Sequence, residues 1–164
     1  MKQRAAYCSI PVLVFQVGTL PKHSITFLPN ISLTQGTFLV CRAATRAMID
    51  AGVSDGAIVN ISSKAAQQPA RGLCGYATAK GGIEALTRSM AMELAPHGIR
   101  CNCVAPGFTD TPNTRAFLPE EVCRVAEKAS PLGRAALPEE VANVVAFLCC
   151  PESSYVIGNT VKVA

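Results

Sequence analysis

The chain has 164 residues, 49% of them hydrophobic and 16% charged, with a net charge of +4. That length suits one domain with a real core, and the low charge suits a sheet covered by helices on both faces. Lys and Arg are scattered, with no basic stripe interleaved with aromatics, so nucleic acid is not an expected partner.

The first 35 residues differ in character from the rest. The longest apolar run, "IPVLVFQVGTL" (Ile10 to Leu20), is interrupted by Gln16 and is shorter than the ~20 residues of a membrane span. With Lys2 and Arg4 ahead of it, the run faintly resembles a secretory leader, but its cleavage site is poorly formed. "TLPKHSITFLPNISLTQ" is broken by Pro21 and Pro29 and shows no lasting period. Residues 1–35 are therefore taken as an atypical N-terminal segment, and 36–164 as the body of the domain.

From Gly36 onward the punctuation is regular. "GTFLVCRAATRAMIDAG" carries apolar residues at Phe38, Leu39, Cys41, Ala44, Met48 and Ile49 and ends at Gly52, which predicts a helix near 37–50. "GAIVNISS" predicts a buried strand near 57–62. "YATAKGGIEALTRSMAMELAPHG" sets Ile83, Leu86, Met90 and Leu94 along one stripe, a helix near 76–95 stopped by Pro96 and Gly98. "IRCNCVAPG" predicts a second buried strand near 99–104. "LPEEVCRVAEKA" and "LPEEVANVVAFLCC" each open with Pro and two acids, as helix N-termini prefer; the second is placed near 138–149. "GNTVKVA" predicts a last strand near 160–164. Alternating strands and helices predict parallel βαβ units in an α/β, doubly wound sheet.

Eight cysteines contain no C-x-x-C pair, and several fall inside apolar patterns. They read as reduced thiols of an intracellular protein, cytoplasmic or mitochondrial. Cys101 and Cys103 face one side of a strand, but His23 and His97 complete no ligand set with them, so no metal is expected. Asn30 and Asn60 begin N-x-S matches; Asn60, in a buried strand, is not expected to carry sugar and reads as a core residue bonded to backbone.

In α/β sheets chemistry collects at the carboxyl ends of strands. Ser63 ends "IVNISS" at such a place, Tyr76 follows thirteen residues later, Lys80 lies four beyond Tyr76, and Pro106–Gly107 closes the neighbouring strand. A phenol is a weak acid at neutral pH, and an ammonium one helical turn away favours its anion. A serine hydroxyl can donate to a carbonyl oxygen as charge develops there. Together the three suit reversible hydride transfer at a carbonyl, with Tyr76 moving the proton. Taken singly, each has a plain structural reading: a Tyr–Lys pair on a solvated helix face and a serine capping a strand end.

"NISS", thirteen residues on "YATAK", then "IRCNCVAPGFTDTP" and "PLGRAALPEEVANVVAFL" resemble, in order and spacing, the short-chain dehydrogenase/reductase family, from about Gly36 to Ala164. Within it the chain most resembles 3-oxoacyl-carrier-protein reductases and the 17β-hydroxysteroid dehydrogenase type 8 group, with L-xylulose and carbonyl reductases close behind. The resemblance implies a Rossmann-like sheet, NAD or NADP as cofactor, and a ketone or 3-oxoacyl thioester as substrate. It assigns Ser63 to the substrate carbonyl, Tyr76 to acid/base catalysis, and Lys80 to the nicotinamide ribose and the tyrosine pKa. Pro106, Gly107, Phe108 and Thr111 match the nicotinamide and phosphate side.

Three family features are missing. No G-x-x-x-G-x-G turn and no N-N-A-G run occur anywhere, and Leu33 stands where the family has a further asparagine. The N-terminal, adenine-binding half of the fold is thus expected to be absent, and dinucleotide binding to be weak. The alternative is a non-catalytic chain acting as an interaction module, since the family forms homo- and hetero-oligomers, commonly through helices matching 37–50 and 76–95.

Overall fold

A computed structural model describes residues 12–15 and 27–164 of the chain. Four parallel strands form one sheet in the order β1 (Val12–Phe15), β2 (Gly56–Ile61), β3 (Ile99–Pro106), β4 (Thr160–Val163). Between β1 and β2 runs α1 (Phe27–Asp50), and between β2 and β3 runs α2 (Cys74–Leu94). The last crossover holds α3 (Pro112–Phe117), α4 (Glu120–Lys128) and α5 (Pro138–Cys149).

The expected neighbours are in place. β2 and β3 pair in parallel from Gly56↔Ile99 to Ile61↔Val104, and β3 pairs with β4 from Cys103↔Thr160 to Pro106↔Val163. Ahead of Gly36 the structure departs from the sequence reading. Val12–Phe15 lies beside β2 as a fourth strand, and α1 begins at Phe27 and crosses Gly36 unbroken. Pro29 does not prevent this, because the first N–H groups of a helix have no intrahelical acceptor to lose.

The two faces of the sheet are covered differently. Ile58, Ile99 and Cys101 pack with Cys41, Met48, Met90, Ala91 and Leu94 beneath α1 and α2. Val59, Ile61 and Val104 pack with Leu148 and Cys149 beneath α5. Period-two alternation along β2 and β3 makes this division, and burial on both faces explains their near-continuous apolar sequence.

Most polar side chains inside this core are hydrogen-bonded; among the described residues, the buried Thr45 Oγ1 and Arg100 Nε have no partner. Asn60, fully buried, accepts from the Cys41 thiol at 3.2 Å and donates to Thr87 Oγ1 at 3.0 Å and Cys101 Sγ at 3.8 Å. Its partners are thus side chains of two helices and a neighbouring strand, not the backbone expected from sequence. Toward α5, Arg100 donates to the carbonyls of Leu148 (2.9 Å), Cys150 (3.2 Å) and Ser153 (3.2 Å) and to Ser153 Oγ (3.0 Å). A cation there meets the unsatisfied carbonyls and negative end of the helix. Asn102 donates to Val156 O at 2.7 Å and accepts from Asn159 N at 3.0 Å, so two β3 side chains fasten the link to β4. Gly98 turns α2 into β3 at φ +69°, with a Cβ position only 2.2 Å from Ser54 O; no other residue fits there. Among the described residues no helix is long and apolar enough to cross a membrane.

Replacing Arg100 with Leu keeps the volume but strands buried carbonyls. It should cost about 3 kcal/mol of stability, read as a lowered urea midpoint with an unchanged m-value. A loss within ~0.5 kcal/mol would show the staple to be dispensable.

Burial also pushes the Cys41 and Cys103 thiols up to about 11 and Cys101 higher still. Unfolded thiols titrate near ~8.5, so between that value and about 11 the folded chain holds the extra protons. The stability these groups contribute is complete below the unfolded value and is lost as pH rises. The urea midpoint should therefore fall from pH 8 to pH 10.5, and fall less steeply in Cys41→Ala; an equal slope in both would refute the assignment.

Candidate active site

Ser63 follows the last residue pair of β2 and adopts an extended backbone that starts a 3₁₀ turn over Lys64–Ala66. Its Oγ accepts from Ala65 N at 3.2 Å. Tyr76 stands in the first turn of α2, half-buried, with its phenol against the Ser63 hydroxyl. Burial pushes the phenol pKa up, and the hydrogen bond with Ser63 pulls it down. Lys80, one turn later, is 3% exposed and donates from Nζ to Ile61 O at 2.9 Å, with Nζ 5.8 Å from the centroid of the Tyr76 ring.

The structure thus brings Ser63, Tyr76 and Lys80 together. The Ser63 hydroxyl opposes the rise that burial imposes on the phenol pKa. Lys80 lies against the ring face, and burial lowers its own pKa, with the Cys103 thiol acting in the opposite direction. A buried ammonium requires an acceptor, and the last carbonyl of β2 provides one.

Pro106, Gly107, Phe108 and Thr111 start from the neighbouring strand end. Pro106 closes β3 opposite Val163. Gly107 N donates to Val163 O at 2.8 Å, and a Cβ on Gly107 would lie 2.6 Å from Ala164 Cβ. Close approach to the last strand is therefore itself a reason for glycine here. Phe108 O accepts from Ala136 N at 2.9 Å, and the Arg115 guanidinium sits 5.9 Å from the Phe108 ring centroid while pairing with Asp110 (2.7 Å) and Glu127 (3.0 Å). Thr111 caps α3 by accepting from Thr114 N at 3.1 Å. Among the described residues, none of the four hydrogen-bonds to Tyr76 or Lys80. A cleft of about 310 Å³, lined in part by Lys64, Phe108, Leu132, Arg134, Val163 and Ala164, opens between this segment and the turn after Ser63.

Sequence reasoning missed the layer beneath. Ser62 Oγ lies 3.0 Å from Lys80 O and 3.1 Å from Glu84 Oε1, and Gln67 Nε2 lies 3.2 Å from the same carboxylate oxygen. The available signal was a glutamate four residues past Lys80 on an otherwise apolar helix face. Leu33, where the resemblance expects asparagine, is 1% exposed in α1 and supplies no polar group.

The residues present fit the nicotinamide side of a dinucleotide. An ammonium has three donors. Ile61 takes one, and the other two have no partner among the described residues, so acceptors such as ribose hydroxyls would complete the coordination of a buried cation.

The sequence profile described as Enoyl-(Acyl carrier protein) reductase matches residues 11–164. The chain is 45% identical over 130 residues to (3R)-3-hydroxyacyl-CoA dehydrogenase of Rattus norvegicus, covering 79% of this chain and 49% of that protein. It is 44% identical over 124 residues to Estradiol 17-beta-dehydrogenase 8 of Callithrix jacchus, covering 76% and 91% respectively. The crystal structure of 3-oxoacyl-[acyl-carrier protein] reductase from Brucella melitensis superposes with a TM-score of 0.83 at 36% identity, over 93% of this chain and 61% of that one. The chain spans about half the length of the hydroxyacyl-CoA dehydrogenase it matches. Parallel sheet, site geometry and these similarities agree: the chain belongs to the short-chain dehydrogenase/reductase family.

Proposed function

We propose that this chain carries the proton-handling half of an NAD(P)-dependent oxidoreductase acting on a 3-oxoacyl thioester or similar ketone. The observation that supports this reading best is the meeting of the Ser63 and Tyr76 hydroxyls, with the buried Lys80 ammonium against the same ring. In the reducing direction both hydroxyls donate to the substrate carbonyl oxygen and polarise it. The bound dinucleotide supplies the hydride. Tyr76 then gives its proton to the nascent alkoxide. Burial keeps the phenol protonated at neutral pH, which is the form a proton donor needs. The resulting phenolate is held by the Ser63 hydroxyl and by the positive field of Lys80.

Tyr76 and Lys80 would hold the nicotinamide ribose, and Pro106, Gly107, Phe108 and Thr111 would flank the nicotinamide and phosphates. No Gly-rich turn is present for the pyrophosphate, so binding by these 164 residues alone is weak. Free thiols at Cys41, Cys74, Cys101, Cys103 and Cys123 support an intracellular setting, cytoplasmic or mitochondrial.

A second reading, a non-catalytic interaction module, is favoured by one observation. Phe38, Leu39, Ile49 and Met92 remain 46%, 43%, 37% and 79% exposed on α1 and α2. Another subunit of the same family is the partner such a face suits.

Fluorescence titration of residues 1–164 with NADH and NADPH should give Kd above about 1 mM, weaker than about −4 kcal/mol, and no turnover of acetoacetyl thioesters. Saturable binding below that threshold with turnover would show that a pyrophosphate site forms without a Gly-rich turn. In a chain completed with a Gly-rich first half, Tyr76→Phe should lower turnover by about 10²–10⁴-fold while dinucleotide affinity holds. Retained turnover would remove Tyr76 as the acid/base.

A further inference from the structure

Glu84 is a buried carboxylate that the proton-transfer scheme leaves unused. It is 8% exposed and lies on α2 four residues beyond Lys80. Its charge acts on the Cys103 thiol, which also feels the Lys80 ammonium in the opposite direction. Lys80 does not pair with it: Nζ donates to Ile61 O, and among the described residues no salt bridge involves either side chain. The carboxylate instead accepts from Gln67 Nε2 at 3.2 Å on one oxygen and 3.4 Å on the other, and from Ser62 Oγ at 3.1 Å, whose single proton it shares with Lys80 O at 3.0 Å.

Ser62 and Gln67 have a particular position in the chain. They bracket the turn over Lys64–Ala66, which Ser63 caps at its start. Within the turn, Ala66 N bonds Ser63 O at 2.9 Å and Gln67 N bonds Lys64 O at 3.0 Å. One charged group on α2 therefore grips the turn at both ends, and charge-assisted bonds are stronger than neutral ones.

We propose that Glu84 is a positioning residue: by holding Ser62 on one side of Ser63 and Gln67 on the other, it locks the turn that aims the Ser63 hydroxyl at Tyr76. The inference rests on the reading of Ser63 and Tyr76 as the proton-handling pair. A carboxylate that merely satisfied its own burial would have no effect on the Ser63–Tyr76 bond.

The test is carbon NMR of the full 164-residue chain labelled at tyrosine Cζ, with the Tyr76 signal assigned through Tyr76→Phe and the 99% exposed Tyr155 as internal control. Ser63→Ala removes the bond and sets the reference displacement of the Tyr76 signal. Glu84→Ala should displace that signal in the same direction by at least about half as much, since a freed turn loses most of an oriented bond. Glu84→Gln, which still accepts from Ser62, should leave the signal in place. The double variant Ser63→Ala/Glu84→Ala should match Ser63→Ala alone, because the two act through one bond.

An unmoved Tyr76 signal in Glu84→Ala overturns the proposal, as does a displacement that adds undiminished to that of Ser63→Ala. Should Glu84→Ala not fold, Gln67→Ala at the exposed end of the turn decides: a smaller displacement in the Ser63→Ala direction supports the grip, and none overturns it. If Ser63→Ala itself leaves Tyr76 unmoved, the hydroxyl pairing fails and the proposed function fails with it. A Ser63→Ala displacement without a Glu84→Ala displacement overturns this inference alone.

Discussion

The parallel register between β2 and β3 is the constraint on which the rest depends. With Ile61 opposite Val104, and Ser62 N continuing the ladder to Val104 O at 2.8 Å, both strands release their chains at the same edge. Ser63 leaves one and Pro106–Gly107 leaves the other. A slip of one residue would exchange the faces of every β2 side chain. Asn60 would then turn toward α5, away from Cys41 and Thr87, and Ser62 would lose Glu84.

The same alternation explains why so apolar a chain keeps polar residues in its centre. On β3, Cys101 and Cys103 face α2, while Arg100 and Asn102 face the last crossover. The first pair lies where thiols act as small hydrophobes. The second lies where a helix ends and a loop runs back to β4, and both leave carbonyl and amide groups in need of partners. Polar side chains are buried where backbone groups would otherwise go unpaired.

The site follows the same rule with the charges reversed in purpose. Lys80 is costly to bury and has a single backbone acceptor, whereas Arg100 meets four acceptors through Nη1 and Nη2 and leaves only Nε unpaired. A buried cation against the face of a half-buried phenol is the kind of setting that shifts both groups' titration. Glu84, by contrast, is fully engaged by a turn, as a fixed support requires.

What could be read from the sequence was local. Strand and helix periods from Gly36 onward, the Pro-acid helix starts, and the spacing of Ser63, Tyr76 and Lys80 depend on neighbours within a turn or two, so residue types alone carried them. Residues ahead of Gly36 were illegible, because Val12–Phe15 has strand character only beside β2, and Pro29 reads as a breaker until α1 is seen to begin at Phe27. The identity of each partner in the site was decided by folding alone. Ile61 for Lys80, Ser62 and Gln67 for Glu84, Ala164 against Gly107 and the Arg100 staple are each separated by many residues along the chain. No periodicity reports contacts at that range, since they exist only once the strands have taken their register.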